Sequence, residues 1–346
     1  MQHEVYMKRC LELAKTGLPL AMPNPSVGAV LVYNSTIIGE GFTSPYGGNH
    51  AEVNAINAVK DKTLLCKSTL YVSLEPCSHY GKTPPCSDLV IHSKIPNVVI
   101  GTIDPHSKVA GKGVLKLVSA GITVVVGILE KECQEFNKRF FTFHTKKRPY
   151  VILKWAESLD GFLAPLTKNK KEPVWISNSI SRQLVHKWRS EEQAILVGTN
   201  TVLEDNPKLN TRNWHGKNPT RIVIDRTLKL NSNYNCLDQS VNTIIITEKE
   251  NLISTSKIIY ETIIFDKNII FNILKTLHKH NLQSVIVEGG LKTLQSFIDV
   301  NLWDEARVFK SNILFKTGIN APILLAINKE SHTIINDELL IFKNDD

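Results

Sequence analysis

Long hydrophobic runs, paired cysteines and dense basic clusters are all missing from this sequence. No apolar segment is long enough to cross a bilayer, so we expect no contact with a membrane. The six cysteines are too few and too scattered for a disulfide framework, which favours reduced thiols and a cytoplasmic location. The net charge is +8, but no Lys/Arg run is interleaved with aromatic residues. We therefore expect phosphorylated small molecules rather than nucleic acid as partners.

The chain has 346 residues, enough for two domains that each bury a core. Strand and helix patterns alternate along both halves, which indicates α/β architecture with helices covering the sheets. The basic stretch HTKKRP, at residues 144–149, is the candidate boundary. We predict two different domains, residues 1–146 and 147–346, because no repeat relates the halves.

Several local patterns make predictions about secondary structure. SVGAVLVYN and TIIGEGFT are typical of two short strands joined by a turn at Asn34 and Ser35. HAEVNAINAV has the apolar spacing of a helix. KECQEFNKRFF is expected at the centre of one further helix. AILVGTNTVLEDNP is expected to form a strand followed by a polar turn.

The strongest chemical signal in the first half is the order His50, Glu52, Cys77, Cys86. Zinc that activates water for attack on a ring carbon takes three protein ligands and keeps a fourth position open. One imidazole and two thiolates supply those ligands. Glu52, in the first turn of the same helix as the histidine, is expected to move protons rather than to bind metal. This is the order found in zinc-dependent base deaminases, except that eight residues rather than two separate the cysteines.

The loop between the cysteines makes the match more specific. PCSHYGKTPPC, with MPNPSVGAVLV, HAEVNAI and GTIDPH, resembles the RibD family of bacterial riboflavin biosynthesis, which joins a pyrimidine deaminase to a reductase. The resemblance covers nearly all of residues 1–145. It implies a cytidine-deaminase-like three-layer α/β sandwich, zinc on His50, Cys77 and Cys86, and Glu52 as proton shuttle. It also implies that Asn24 and Lys82 contact substrate.

The residues alone leave the roles of Asn24 and Lys82 open. Asn24 lies between two prolines, where a turn residue without a ligand fits equally well. Lys82 fits either a phosphate contact or a solvated loop lysine. The changes near these positions, Ala21-Met22 before Pro-Asn-Pro and His106 after Asp-Pro, touch none of the expected zinc ligands.

The second half has no G-x-G-x-x-G pattern, so a Rossmann cofactor site is not supported. VEGG, at residues 287–290, ends an apolar strand and opens a helix. A phosphate can approach the backbone there, although a turn without a ligand fits as well. KWAESLDG, WIS, ILVGTNTVLEDNP and VEGG follow the order of the RibD reductase domain. The resemblance implies a dihydrofolate-reductase-like α/β domain that binds NADPH through Ala156, Trp175, Thr201, Asp205 and Gly290 and substrate through Lys154, Arg189, Leu209, Arg212 and Glu288.

The segment FLAPLTKNKKEPV departs from this family, which usually has a short Gly-Ser loop before Trp175. Pro173 stands where a substrate-contacting serine is expected, so that contact is not carried over. Lys168, Lys170 and Lys171 fit either a phosphate contact or a solvated loop tip.

The resemblance thus implies a bifunctional enzyme that deaminates 2,5-diamino-6-(5-phosphoribosylamino)pyrimidin-4(3H)-one and then reduces the product with NADPH. Association into a homo-oligomer is compatible with this organisation. One alternative is a tRNA or nucleoside deaminase with an accessory domain, which predicts tight RNA binding with a steep salt dependence. The other is a non-catalytic zinc-binding scaffold, which predicts a closed site of four ligands.

Overall fold

The chain folds into two compact units, Met1–Lys147 and Arg148–Asp346. Both are mixed α/β structures, as the sequence pattern predicts. No helix within the described part of the chain is long and apolar enough to span a membrane. The computed structural model describes residues 2–80, 84–106, 110–167, 174–325 and 329–344.

The first unit is organised around a five-stranded sheet. Its strands are β1 (Gly28–Tyr33), β2 (Thr36–Phe42), β3 (Thr69–Leu74), β4 (Asn97–Thr102) and β5 (Thr123–Val126). Their spatial order is β2-β1-β3-β4-β5. β1 pairs antiparallel with β2 and β3, whereas β3, β4 and β5 are parallel. The turn predicted between β1 and β2 is confirmed, since Asn34 and Ser35 both have positive φ.

Helices cover both faces of this sheet. Side chains of β1 alternate between two cores: Ala29 and Leu31 pack on one side, and Val30 and Val32 pack with Met7 on the other. Because successive side chains of a strand point to opposite faces, this alternation gives three layers. The helices are α1 (Gln2–Gly17), α2 (Ala51–Ala58), α3 (Cys86–His92), α4 (Lys112–Ser119), α5 (Glu130–Phe136) and α6 (Lys138–Thr145), with a short 3-10 helix at Lys62–Lys67.

The prediction of one helix around KECQEFNKRFF is wrong, because α5 and α6 are separate helices that meet at Asn137. The Asn137 side chain is buried and is used for a tertiary contact. Its Oδ1 accepts a hydrogen bond from the Ser26 N–H (3.1 Å), and its Nδ2 donates to the Ser26 carbonyl (3.0 Å). The residue therefore leaves helical geometry to bind the backbone N–H and carbonyl of Ser26, which is far away in sequence.

The second unit contains a nine-stranded sheet and a separate two-stranded pair, β7 with β14. The strands are β6 (Tyr150–Glu157), β7 (Phe162–Pro165), β8 (Ala194–Gly198), β9 (Thr220–Ile224), β10 (Thr243–Thr247), β11 (Ile258–Thr262), β12 (Ser284–Val287), β13 (Glu305–Ser311), β14 (Gly318–Asn320), β15 (Lys329–Ile334) and β16 (Asp337–Lys343). The large sheet has the order β11-β10-β9-β8-β12-β6-β13-β16-β15. It is parallel from β11 to β13 and antiparallel through β16 and β15.

Helices cover this sheet on both faces as well. Ile273 and Phe297 lie in a core with Val151, whereas Val185 and Trp188 pack against the opposite face. Because the strands from β11 to β13 in the sheet order are parallel, their carboxyl ends meet at one edge, where open α/β sheets bind ligands. The helices are α7 (Ser179–Glu191), α8 (Thr199–Asp205), α9 (Ile269–Lys279) and α10 (Leu291–Asp299), with a short 3-10 helix at Asn235–Leu237.

The prediction of a strand and a polar turn in AILVGTNTVLEDNP misses helix α8, which residues 199–205 form after the strand. Its one fully buried side chain, Val202, packs against the core that includes Val197 and Leu209. The helix ends at Asn206, which has a positive φ. Polar composition favoured a turn, but one buried apolar contact stabilises the helix.

Candidate functional site

Three potential metal ligands from separate parts of the first unit meet at one point. The ligand atoms of His50, Cys77 and Cys86 all lie within 4.8 Å of one another. His50 Nδ1 is 3.5 Å from Cys77 Sγ and 3.2 Å from Cys86 Sγ. Zn–N and Zn–S bonds of ordinary length place a nitrogen and a sulfur about 3.6 Å apart in a tetrahedral site. One nitrogen and two sulfurs at these separations fit zinc.

The elements around the cluster explain why these residues meet. His50 is the N-cap residue of α2, and Cys86 is the first residue of α3. Cys77 lies in the loop after β3, and backbone hydrogen bonds hold this loop against α3. The Cys86 N–H donates to Cys77 Sγ (3.3 Å), and the Ser87 N–H donates to the Cys77 carbonyl (3.1 Å). The eight-residue insertion between the cysteines therefore does not separate them in space.

Glu52 lies next to this cluster with only 4% of its surface exposed. It is in the first turn of α2, and its carboxyl group interacts with the Cys86 thiol. Burial, and the nearby negative charge of Cys77, raise the pKa of Glu52 to about 7. A carboxyl group in this position can accept and release protons near neutral pH.

The two cysteine thiols shift each other's pKa in opposite directions. A hydrogen bond from Cys86 lowers the pKa of Cys77 to about 4, against the burial that would raise it, and His50 adds to the lowering. The same hydrogen bond and burial raise the pKa of Cys86. The site thus already stabilises one thiolate, which is the form of cysteine that binds metal.

Glu75, which sequence reasoning missed, organises the loop beside the cluster. It is buried at the end of β3 and precedes Cys77 by two residues. Its carboxylate joins this turn to the segment after β4, which contains Asp104. The signal in the sequence was a glutamate at the end of an apolar strand, where an acidic residue requires buried donors. Its carboxylate oxygens accept hydrogen bonds from the backbone N–H groups of Asp104, Gly111, Gly113 and Val114.

The other residues predicted for the deaminase lie outside the three-ligand cluster or outside the described part of the chain. Asn24 is half-buried in the segment between α1 and β1, and its N–H donates to the Ala21 carbonyl (3.0 Å). Within the described ranges, no hydrogen bond joins Asn24 to the zinc ligands. Lys82 lies outside the described residues. Pro173, Lys168, Lys170 and Lys171, which belong to the second unit, also lie outside them. The His79 ring is exposed and stacks near His106, with 6.4 Å between ring centroids.

The second unit contains a cavity of about 1670 Å³ at the carboxyl edge of its sheet. All ten residues that the resemblance implies for the reductase line this cavity. Those implied for cofactor are Ala156, Trp175, Thr201, Asp205 and Gly290, and those implied for substrate are Lys154, Arg189, Leu209, Arg212 and Glu288.

A buried ionic group forms one wall of the cavity. The Arg189 guanidinium binds both carboxylate oxygens of Glu288, at 3.2 and 2.7 Å, and Lys154 Nζ is 3.9 Å from the same carboxylate. Neighbouring strands place these groups, because Lys154 is on β6 and Glu288 follows β12. Burial alone would raise the pKa of Glu288, but the charges of Arg189 and Lys154 lower it to about 2. Burial lowers the pKa of Lys154.

The glycine pair before α10 also lines the cavity. The Gly290 N–H donates to Thr201 Oγ1 at 2.9 Å, which joins the start of α10 to α8. A Cβ at Gly289 would lie 2.6 Å from the Thr293 side chain, and one at Gly198 would lie 2.7 Å from it. Glycine is therefore required at both positions for α10 to pack this closely. The resulting helix start is a backbone surface suited to a phosphate group.

Sequence reasoning also missed His186, a buried residue of α7 that lines the cavity. Its Nδ1 is 3.0 Å from the Asn210 carbonyl, which also accepts a hydrogen bond from Arg189 Nη1 (3.3 Å). The available signal was the spacing of three residues between His186 and Arg189, which places both on one face of a helix.

The comparisons with known proteins agree with both sites. Residues 1–102 match the family model of the cytidine and deoxycytidylate deaminase zinc-binding region, and residues 149–315 match that of the RibD C-terminal domain. The chain is 40% identical to the riboflavin biosynthesis protein RibD of Aquifex aeolicus over 350 aligned residues, which cover 97% of each chain. It is also 40% identical to RibD of Bacillus amyloliquefaciens over 331 residues, covering 93% of this chain and 88% of the relative.

Solved structures give the same result. The diaminohydroxyphosphoribosylaminopyrimidine deaminase/5-amino-6-(5-phosphoribosylamino)uracil reductase of Thermotoga maritima is 37% identical with a TM-score of 0.86, covering 99% of this chain and 98% of that one. Acinetobacter baumannii RibD is 31% identical, with the same TM-score and coverage. A zinc-binding deaminase domain and an NADPH-dependent reductase domain thus make up one bifunctional enzyme of riboflavin biosynthesis. The chain belongs to the RibD family.

Proposed function

We propose that this chain catalyses two consecutive reactions of riboflavin biosynthesis. The first unit deaminates 2,5-diamino-6-(5-phosphoribosylamino)pyrimidin-4(3H)-one, and the second reduces the resulting 5-amino-6-(5-phosphoribosylamino)uracil to its ribitylamino phosphate. The observation that carries the proposal is the three-ligand cluster with the buried carboxyl group of Glu52 beside it. A purely structural zinc site has four protein ligands, whereas three are present among the described residues.

In the deaminase, His50, Cys77 and Cys86 hold zinc, which lowers the pKa of a water molecule when bound. Glu52 accepts a proton from the attacking water and delivers protons to the ring nitrogen and to the departing amine. The carbon–nitrogen bond breaks, ammonia leaves and oxygen remains on the ring. Burial of Glu52 matches this task, because its raised pKa allows both proton uptake and proton release.

Recognition of the deaminase substrate is assigned to Asn24 and Lys82. Asn24 is proposed to contact the pyrimidine and Lys82 the phosphorylated sugar. The support for both is the match of their sequence motifs to the family. A cationic side chain in that loop is chemically suited to a phosphate group.

In the reductase, the cavity holds cofactor and substrate together. Its volume of about 1670 Å³ exceeds the range of roughly 300–1,000 Å³ that is usual for a single small ligand. NADPH supplies the hydride when bound. The residues proposed to hold it all line the cavity: Ala156, Trp175, Thr201, Asp205 and Gly290.

The substrate is proposed to face the ionic wall of the cavity. Arg189 and Arg212 bind the ribose phosphate, because guanidinium groups form paired hydrogen bonds with phosphate oxygens. Glu288 holds Arg189 in place through two hydrogen bonds. Lys154 and Leu209 complete this side of the cavity. When the ribose ring opens, the bond between C1 and the ring oxygen breaks, the oxygen takes the proton of the linking N–H, and C1 becomes an imine carbon. Hydride addition to C1, with a proton added to the imine nitrogen, gives the ribitylamino side chain.

We assign the deaminase to residues 1–146 and the reductase to residues 147–346. We also propose a cytoplasmic location, which the unpaired state of all six cysteines supports. Small phosphorylated pyrimidines are the proposed partners. Association of the chain into a homo-oligomer remains part of the proposal.

Supplying each substrate separately tests whether the first unit carries out deamination and the second unit carries out reduction. The variant Glu52→Gln is expected to lose deamination yet to reduce supplied 5-amino-6-(5-phosphoribosylamino)uracil at the wild-type rate. Arg189→Gln is expected to show the reverse pattern. The control Glu4→Gln, at an exposed position of α1, should retain both activities. Loss of both activities in either single variant, with the fold intact, would contradict the assignment.

A further inference from the structure

His186 is a buried imidazole on the wall of the reductase cavity, and the proposed function gives it no task. Only 3% of its surface is exposed. It lies on α7, one helical turn before Arg189, so both side chains point to the same face. Its hydrogen-bond partners therefore determine its role at the cavity wall.

His186 and Arg189 both bind the main-chain carbonyl of Asn210. His186 Nδ1 is 3.0 Å from this oxygen, and Arg189 Nη1 donates to it at 3.3 Å. A carbonyl oxygen only accepts hydrogen bonds, so Nδ1 of the neutral imidazole must carry the proton. Two donors from one helix thus hold a single carbonyl.

This carbonyl belongs to the loop that carries two of the proposed substrate residues. Leu209, immediately before Asn210, has a φ of +50°, which is uncommon for a residue with a side chain. Arg212 follows two residues later and lines the cavity. Arg212 Nη1 also donates to Asn210 Oδ1 (3.4 Å). The position of Asn210 consequently affects the backbone on both sides of it.

The choice of histidine suits a location between two arginines. Burial and the charges of Arg189 and Arg212 lower the pKa of His186 to about 4. It therefore donates a hydrogen bond without adding a further positive charge to this wall. A lysine or arginine at this position would add that charge.

We infer that His186 is a positioning residue of the reductase, which fixes the Asn210 carbonyl and through it places Leu209 and Arg212 at the substrate side of the cavity. It acts through the loop rather than by contact with the reacting atoms. The inference rests on the proposed function, in which Arg189 and Arg212 bind the phosphorylated sugar.

The variants His186→Asn, His186→Gln and His186→Phe test it. The amide nitrogen of asparagine occupies nearly the place of Nδ1, whereas that of glutamine occupies the place of Nε2. His186→Asn is therefore expected to keep the KM for 5-amino-6-(5-phosphoribosylamino)uracil within about twofold of wild type. His186→Gln and His186→Phe should raise that KM about five- to tenfold, with little change in kcat or in the KM for NADPH.

The deaminase activity of each variant serves as an internal check of folding and concentration. Gln183→Ala, at an exposed position of α7, is the matched control and should leave all reductase constants unchanged. If glutamine or phenylalanine leaves the KM at the wild-type value, or asparagine fails to preserve it, the inference is wrong. A fall in kcat alone would also overturn it, because that result assigns His186 to the reacting atoms. Absence of reduction by the wild type would instead contradict the proposed function, and the inference would fall with it.

Discussion

Individual side chains determine which reactions are available in the first unit. Glu52 is two residues from His50 in sequence, and the first turn of α2 places it beside Cys86 rather than among the ligand atoms. A buried carboxyl group at this position serves proton transfer, and the cluster itself serves metal binding. These two roles make separate predictions.

Glu52→Gln should abolish proton transfer without removing the metal. We expect deamination to fall by about a thousandfold or more, because glutamine has the shape of glutamate without an ionisable proton. The zinc content should stay at the wild-type value. Ammonia release and metal analysis of the same preparation measure both quantities. Deamination at an undiminished rate would remove Glu52 from the mechanism.

Cys77→Ser and Cys86→Ser should each reduce the zinc content of the purified protein. A serine hydroxyl is a much weaker zinc ligand than a thiolate, and two protein ligands do not retain zinc well. Cys66→Ser is the matched control, because Cys66 is exposed and lies outside the cluster. Metal analysis after dialysis measures the effect. Full zinc occupancy in either ligand variant would contradict the assigned cluster.

Burial of His186 predicts a pH dependence of stability. The fold lowers its pKa from 6.5 to about 4, so below pH 6.5 the unfolded chain binds a proton that the folded protein does not. The free energy of unfolding of the second unit should therefore decrease as pH falls from 6.5 to 4, by up to about 3 kcal/mol from this residue.

Denaturant unfolding across that pH range measures this contribution. His186→Asn should remove it, whereas His215→Asn, at an exposed position, should retain the wild-type slope. Equal slopes in the wild type and His186→Asn would show that His186 titrates normally in the folded protein.

The sequence predicts the zinc cluster better than the contacts around it. A histidine, a glutamate and two cysteines in this order are typical of zinc-dependent base deaminases, so His50 and Cys77 could be identified from residue order alone. The contact between His186 and the Asn210 carbonyl could not, because it depends on the positive φ of Leu209. The four backbone N–H groups that donate to the Glu75 carboxylate likewise belong to a segment distant in sequence, so no local pattern predicts these hydrogen bonds.

At the scale of elements, apolar periodicity predicts strands and long helices but misses breaks caused by tertiary contacts. The hairpin at Asn34 was predicted because its turn residues and flanking strands lie together in sequence. The break at Asn137 was missed because its cause is Ser26, on another element. Helix α8 was missed because its polar residues conceal one buried valine, Val202.

Asn137→Ala should destabilise the first unit. It removes both hydrogen bonds to the Ser26 peptide and leaves a buried N–H and carbonyl without that partner. We expect a loss of about 3 kcal/mol in the free energy of unfolding, measured with denaturant. Asn57→Ala, at an exposed position of α2, is the control and should change stability little. A loss below about 1 kcal/mol would show that the Ser26 peptide finds other partners.

At the scale of the whole molecule, two α/β units carry two sites of different chemistry. The first holds three metal ligands and a buried acid, and the second holds a large cavity with an ionic wall. Alternating strands and helices predicted the architecture of both units, since that alternation is a property of the entire chain. The reductase cavity could be predicted only by resemblance, because its lining residues come from segments throughout the second half.

The mass of the reaction product tests both proposed reactions in one experiment. The purified, zinc-loaded protein is given 2,5-diamino-6-(5-phosphoribosylamino)pyrimidin-4(3H)-one with and without NADPH. Without NADPH, one amine of the substrate should be replaced by oxygen. With NADPH, the same product should gain two further hydrogens. An unchanged substrate mass, with zinc bound to the protein, would rule out the proposed deamination.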